Sequence, residues 1–243
     1  IQDRKKSGFP AGLQLALAFI GVAPLALPAQ AATDVARDVW PILLRRDLAR
    51  VGHVEWRLRR AAGAACPVQA PDVGVVLDDR GAYQKRDWPL LAATVKMDEH
   101  PAVASVAPGS PADLAGVRAG DEVLALDGVS AETIIARRPA GTVVADALLD
   151  EIARTAPDKA VVFDLRRAGA VLQFSVVPVR HCAVRLVLFT DRSIEAHSDT
   201  RNVAISTGML AFARTDDELA LAAGHEIAHV INGDRRGAPA KVR

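Results

Sequence analysis

His225-Glu226-Ile227-Ala228-His229, near the C-terminal end of a 243-residue chain, is a His-Glu-x-x-His pentad set in a run with helical periodicity. At 3.6 residues per turn the two histidines stand about 40° apart around the helix axis and about 6 Å along it, so both imidazoles reach one metal ion. Glu226 is turned by about 100° from His225, which brings its carboxylate alongside that ion without making it a ligand. A base in that position can take a proton from water activated by zinc. The rest of the stretch agrees. Leu219, Ala223, Ile227, Val230 and Ile231 share one face for a core, while His225 and His229 project from another and Glu226 falls at the border. Ala222, one turn earlier on the ligand side, leaves space beside the metal. Thr215-Asp216-Asp217-Glu218 reads as a capping-box start and Asn232-Gly233 as a stop.

Composition narrows the remaining possibilities. The length suffices for one large or two small domains with a sizeable core. Lys+Arg number 30 against 29 Asp+Glu, so no net field draws nucleic acid, and none is expected as a partner. The basic run Arg57-Leu58-Arg59-Arg60 reads as a solvated helix face. At the N-terminus, Asp3-Arg4-Lys5-Lys6, the mostly apolar Leu13 to Leu27 and Ala29-Gln30-Ala31 have the order of a bacterial export signal, with cleavage expected after Ala31. The apolar run is broken by Pro24 and is shorter than the ~20 residues needed to span a bilayer, so a membrane is a partner only if the signal stays uncleaved. The expected location is the periplasm or the exterior. The chain starts at Ile1 rather than Met and stops at Arg243, soon after His229, so a truncated catalytic domain is expected.

From Thr33 to about Ala62, apolar residues at Val35, Val39, Ile42, Val51, Val54 and Leu58 predict an amphipathic helix, with Pro41 as a point of bending. The two cysteines, Cys66 and Cys182, are far apart in sequence. In an exported protein they are either bridged or two buried thiols. Between them lies densely punctuated sequence. Val103-Ala104-Ser105-Val106 reads as a strand, Pro108-Gly109 as a turn, Ser110-Pro111 as a helix start and Gly116 as its left-handed stop. Glu122 to Leu126 and the Asp127-Gly128 turn follow. Val143 to Arg154 reads as a helix, and Ala160 to Leu165 with Val171 to Val177 as a hairpin around Ala168-Gly169.

The run Ala107-Pro108-Gly109-Ser110-Pro111-Ala112 through Ala115-Gly116-Val117, with Ala119-Gly120-Asp121-Glu122-Val123-Leu124 and Asp127-Gly128, resembles a PDZ domain. The resemblance implies a module over about residues 88–179, with Val73 to Leu77 as the alternative first strand. It also implies a groove beside a helix that receives an extended peptide as an added strand. No loop clearly matches the turn that grips a terminal carboxylate.

After the module, Ala183 to Thr190 and Val203 to Ser206 read as strands, with polar Glu195 to Asn202 as a loop or long hairpin turn. Val203 to Ser206 is the expected sheet edge for a substrate peptide. His181 and His197, the histidines nearest the pentad, read as structural or surface residues, with ligation or oxyanion assistance as the alternatives. Ser198-Asp199-Thr200-Arg201-Asn202-Val203-Ala204-Ile205-Ser206-Thr207-Gly208-Met209-Leu210, followed by Asp216-Asp217-Glu218-Leu219-Ala220 and the pentad, resembles the HtpX and CAAX-prenyl-protease family of zinc metallopeptidases. More narrowly, it resembles exported bacterial members with a PDZ domain ahead of the catalytic helix. The sequence departs from that pattern at Glu195-Ala196, where an Asn-Ala pair often stands.

The resemblance implies His225 and His229 as Zn2+ ligands, Glu226 as general base, and a third ligand from a Glu on a later helix. No Glu follows Glu226, and Asp234, the only downstream carboxylate, stands too close behind the helix end to fit well as a ligand. Two imidazoles hold zinc weakly, so this polypeptide by itself is expected to be inactive. The expected fold is α+β: a zincin-like (gluzincin) catalytic domain, incomplete, with an inserted PDZ-like β-rich module. Its expected divisions are a signal at 1–31, a helical part at 32–87, the module at 88–179 and the zincin core at 180–243. The expected function is zinc-dependent endoproteolysis of exported or envelope proteins, with protein or peptide partners. The alternative is a catalytically incomplete PDZ-containing binding or chaperone-like protein.

Overall fold

The computed structural model describes residues 29–156 and 158–234, with side chains from Val39 onward. Residues 1–28 of the expected export signal lie outside the described residues, and the side chains at its Ala31 cut lie outside the described side chains. No helix among the described residues is long and apolar enough to cross a membrane.

Helix α1 (Ala29–Ala62) runs along two separate cores and packs against elements of both. The first core belongs to a six-stranded sheet. Strands β2 (Val75–Asp78), β3 (Ala102–Val106), β4 (Glu122–Leu126), β6 (Val161–Arg167) and β7 (Ala170–Val176) pair in that order, and β5 (Val129–Ser130) pairs with β4. This sheet takes its outer strand from Val75 onward, ahead of residue 88 and near the alternative Val73 to Leu77. Alternating burial along β6 sets Val161, Phe163 and Leu165 into the core, as expected of a strand with one face covered.

The turns form where the sequence requires them. Asp127-Gly128 and Ala168-Gly169 each put two successive residues at positive φ, the conformation of a two-residue hairpin turn. Helix α3 (Pro111–Ala115) starts with the Ser110 hydroxyl accepting the Asp113 N–H and stops at left-handed Gly116. Helix α5 (Val144–Ala153) follows the expected helical run. Helices α2 (Trp88–Val95) and α4 (Ala131–Arg137) were not anticipated, because α2 is apolar on nearly all sides and α4 is barely two turns long.

The module is joined to the rest of the chain by a narrow neck. Strands β1 (Gln69–Asp72) and β8 (Val179–Cys182) form an antiparallel ribbon with Gln69 opposite Cys182. Cys66 and Cys182 are bonded, with Cα atoms 5.3 Å apart. Arg59 corrects the reading of the basic run as a solvated face. It is 8% exposed, pairs with Asp72 at 2.8 Å and donates to the Cys182 carbonyl at 2.7 Å. The neck thus needs a guanidinium where helical periodicity alone suggested solvent.

Glu55, 3.3 Å from Arg59 and with its side chain 16% exposed, is pushed up to about 7, chiefly by burial. Arg59 lowers it and Asp72 raises it. The acid is more easily protonated folded than unfolded, so its contribution to stability is full below pH 4.5 and is lost as pH rises through 7. His181 shifts downward through burial and so acts in the opposite sense near neutral pH. Comparison with Glu55→Gln therefore isolates the carboxyl. The variant should gain stability relative to the native chain between pH 5 and 8, by roughly 2 kcal/mol. Urea unfolding at several pH values checks this, and a pH-independent difference would contradict it.

The second core collects Val51, Val54, Leu186, Val203, Ile205, Leu219 and Ile227 beneath a three-stranded sheet. Strands β9 (Arg185–Phe189), β10 (Ala196–Ser198) and β11 (Asn202–Ser206) stand in the order β10-β11-β9, with β10 antiparallel and β9 parallel to β11. Two expectations change here. Part of the polar stretch 195–202 is a strand, and Val203 to Ser206 lies in the middle of the sheet rather than at its edge. β10 is only three residues long and carries no apolar alternation, so pairing with β11 creates it. Helix α6 (Thr207–Phe212) leaves β11 directly. At Gly208 a Cβ would collide with the carbonyls of Arg192 and Ser193, so only glycine permits that approach.

Candidate metal centre

Helix α7 (Asp216–Asn232) carries the pentad. Its start is the expected capping box: Thr215 accepts the Glu218 N–H, and Glu218 accepts the N–H of Thr215. Arg50 of α1 anchors the same end, donating to the Thr215 carbonyl at 2.7 Å, the Leu210 carbonyl at 2.8 Å and Asp216 at 2.9 Å. Leu219, Ala223 and Ile227 are buried, and Val230 and Ile231 pack beside them. With that face fixed, the histidines project outward, His225 exposed and His229 half-buried.

The two Nε2 atoms lie 3.2 Å apart. Two nitrogens sharing one zinc at 2.0–2.1 Å in tetrahedral geometry would be about 3.3 Å apart, so the imidazoles are already near chelating geometry. One donor atom from each of His225, Glu226 and His229 falls within 4.8 Å of the others. His225 and Glu226 open onto a hollow of about 460 Å³, walled by Ile194, Glu195 and Ala196 ahead of and on β10 and by Met209, Leu221 and Ala222. The small Ala222 borders this hollow, in keeping with its expected role.

Two neighbours complete the group, and sequence reasoning missed both roles. Ser198, on β10, donates its hydroxyl to Glu226 Oε2 at 2.8 Å, and both residues are buried. Left-handed Gly233 turns the chain so that the Asp234 carboxylate meets His229 Nδ1 at 2.8 Å. Asp234 thus touches the ring from behind, on the nitrogen that does not face His225. A carboxylate there fixes the ring's orientation and leaves Nε2 free as a donor toward a metal. The Asn232-Gly233 stop signal could have revealed this, since the Gly defines where the next side chain returns. Ser198 gave no signal, because its role depends on β10. Truncating it leaves a buried carboxylate short of a donor, so Ser198→Ala should cost about 1–2 kcal/mol in urea unfolding. Unchanged stability would remove the bond from the account.

The two histidines nearest the pentad in sequence do not join the group. His197 faces the opposite side of β10 from Ser198 and packs its ring 5.5 Å from Phe189. His181 is buried against Trp56, ring centres 4.4 Å apart.

Comparison with known proteins gives two family matches. The family model described as PDZ domain matches residues 102–137, and that described as peptidase family M48 matches residues 171–240. The chain therefore carries one segment that matches a PDZ domain model and another that matches a peptidase family M48 model. Among curated proteins none matches it. Solved structures similar to it include the HtrA3 PDZ domain bound to a phage-derived ligand, at 20% identity and TM-score 0.35, covering 46% of this chain and 89% of that one. The HtrA-type protease AlgW with decapeptide is 21% identical, with TM-score 0.34, covering 46% of this chain and 29% of that one. A serine endoprotease from Yersinia pestis is 24% identical, with TM-score 0.26, covering 33% and 25%.

Proposed function

We propose that this chain carries the pentad-bearing part of a zinc-dependent endopeptidase acting on exported or envelope proteins, with its PDZ module binding substrate or controlling access. One observation carries the reading: two imidazole nitrogens 3.2 Å apart beside a buried carboxylate, inside the region matched by peptidase family M48. The catalytic fold in this proposal is zincin-like, of gluzincin type, and carries the module, whose sheet begins at β2, as an insert.

In this reading His225 and His229 hold the ion, and Asp234 keeps the His229 ring in place. When bound, zinc supplies a Lewis acid that polarises the scissile carbonyl and makes water acidic enough to react near neutral pH. Glu226 accepts the proton of the attacking water and delivers it to the leaving amine. Ser198 holds one oxygen of Glu226, which limits the carboxylate to rotamers that face the hollow. The substrate strand lies along β10, the free edge beside α7, rather than along β11. The disulfide at the neck supports an oxidising compartment, the periplasm or the exterior.

Among the described residues no further His, Cys, Asp or Glu joins the group. Two imidazoles hold zinc weakly, so residues 1–243 by themselves are expected to bind it poorly and to be inactive. The same observation favours the second reading, a PDZ-containing binding or chaperone-like protein with a degenerate centre. Zinc content and casein hydrolysis by the full-length protein, beside Glu226→Gln, separate the two. Zinc with hydrolysis that is lost in the variant supports the peptidase, and a zinc-free, inactive full-length protein supports the adaptor.

A further inference from the structure

A cavity of about 800 Å³ separates the module from the second core. One wall is β2 with α5. Among the described residues β2 is the outermost strand of its sheet, paired only with β3, so its other edge has backbone groups open to a new strand. The facing wall is β9, itself an edge strand of the three-stranded sheet. Across the gap Arg185 of β9 reaches two aspartates one turn apart on α5, Asp150 at 2.8 Å and Asp146 at 3.6 Å. The guanidinium is 21% exposed and each aspartate 48% exposed, so the pair of carboxylates remains accessible from the cavity.

The end of the groove has its own occupant. At the turn leading into β2, the Gly74 N–H donates to Asp72 Oδ1 at 2.9 Å, and Arg59 holds the other Asp72 oxygen at 2.8 Å. A ligand's terminal carboxylate arriving there would meet Asp72 and find that amide already used. The open edge and the paired aspartates carry no such restriction. They fit a segment that runs through the groove and offers a cation to α5.

We propose that the groove between β2 and α5 takes extended internal polypeptide segments bearing a basic side chain, and that Arg185 fills the basic-residue position until such a segment displaces it. This rests on the reading of the module as a peptide binder. β9 is a strand of the sheet whose β10 and β11 contact α7 and the candidate metal centre, so displacing Arg185 would loosen the module's hold on that sheet.

The test uses fluorescence anisotropy with three labelled valine-rich octapeptides: one with a central Arg and an amidated C-terminus, its Gln analogue, and the Arg peptide with a free carboxylate. On the native chain the Arg peptide should bind roughly three- to fivefold tighter than the Gln peptide, in keeping with a half-exposed ion pair, and a free carboxylate should add nothing. Arg185→Gln should tighten binding of the Arg peptide by a similar factor. Asp146→Asn with Asp150→Asn should abolish the Arg preference. Equal binding of the Arg and Gln peptides to the native chain, or dependence on the free carboxylate, overturns this proposal and leaves the peptide-binding reading standing. Failure of every peptide to bind either the native chain or Arg185→Gln overturns both.

Discussion

Glu226→Gln is expected to abolish hydrolysis while leaving zinc binding intact. The substitution keeps the size of the side chain and an acceptor oxygen for the Ser198 hydroxyl, so the link between β10 and α7 survives. It removes only the ability to take up and release a proton, a contribution typically of 10²–10⁴ in rate. The fall should therefore appear in kcat, with KM and zinc content unchanged in the full-length protein. His225→Ala provides the contrast, because it deletes a donor and should lose the metal as well as the activity. Equal cleavage by the native enzyme and Glu226→Gln would remove Glu226 from the chemistry. Loss of zinc in Glu226→Gln would make it a ligand instead.

Loss of the Cys66–Cys182 bond has the next largest expected effect, on stability rather than chemistry. The bond closes a loop with a sequence separation of 116 that contains the entire module. In the chain-entropy picture, opening a loop of that size costs about 2–5 kcal/mol. Both cysteines belong to the second core, in one cluster with Val184 and Leu186 and with Leu219, Ala223 and Ile227 of α7. The loss should therefore be felt first by the sheet β10-β11-β9 and by α7, while the module, with its own core around Phe163 and Leu148, keeps its fold. Urea unfolding of Cys66→Ser with Cys182→Ser should show an earlier transition, and reductant should reproduce it in the native chain. Two cysteines that alkylate freely without reductant would end this account.

Much of this fold is legible along the chain because its signals are local. The α7 capping box, the two hairpin turns and the Ser110-Pro111 helix start each rest on a few consecutive residues whose backbone preferences agree. The pentad is legible for the same reason: helical spacing alone puts His225 and His229 on one side. Residues whose role depends on a distant partner were read less well. Arg59 looks solvated on a helical wheel, yet Asp72 and the Cys182 carbonyl arrive from sequence positions beyond its reach. Val203 to Ser206 looks like an edge until β10, which has no propensity of its own, pairs beside it.

The sequence by itself determined the element carrying the histidine pair, the punctuation of the module and the presence of two cysteines able to bond. Helical periodicity, turn chemistry and residue type act within a few residues, and the folded chain does not have to supply them. Only the tertiary structure decided that Ser198 restrains Glu226 and that Arg185 crosses a cavity to α5. Each of those is a hydrogen bond or ion pair effective over about 3 Å, and it exists only after packing has brought strands and helices from far apart in the chain into register.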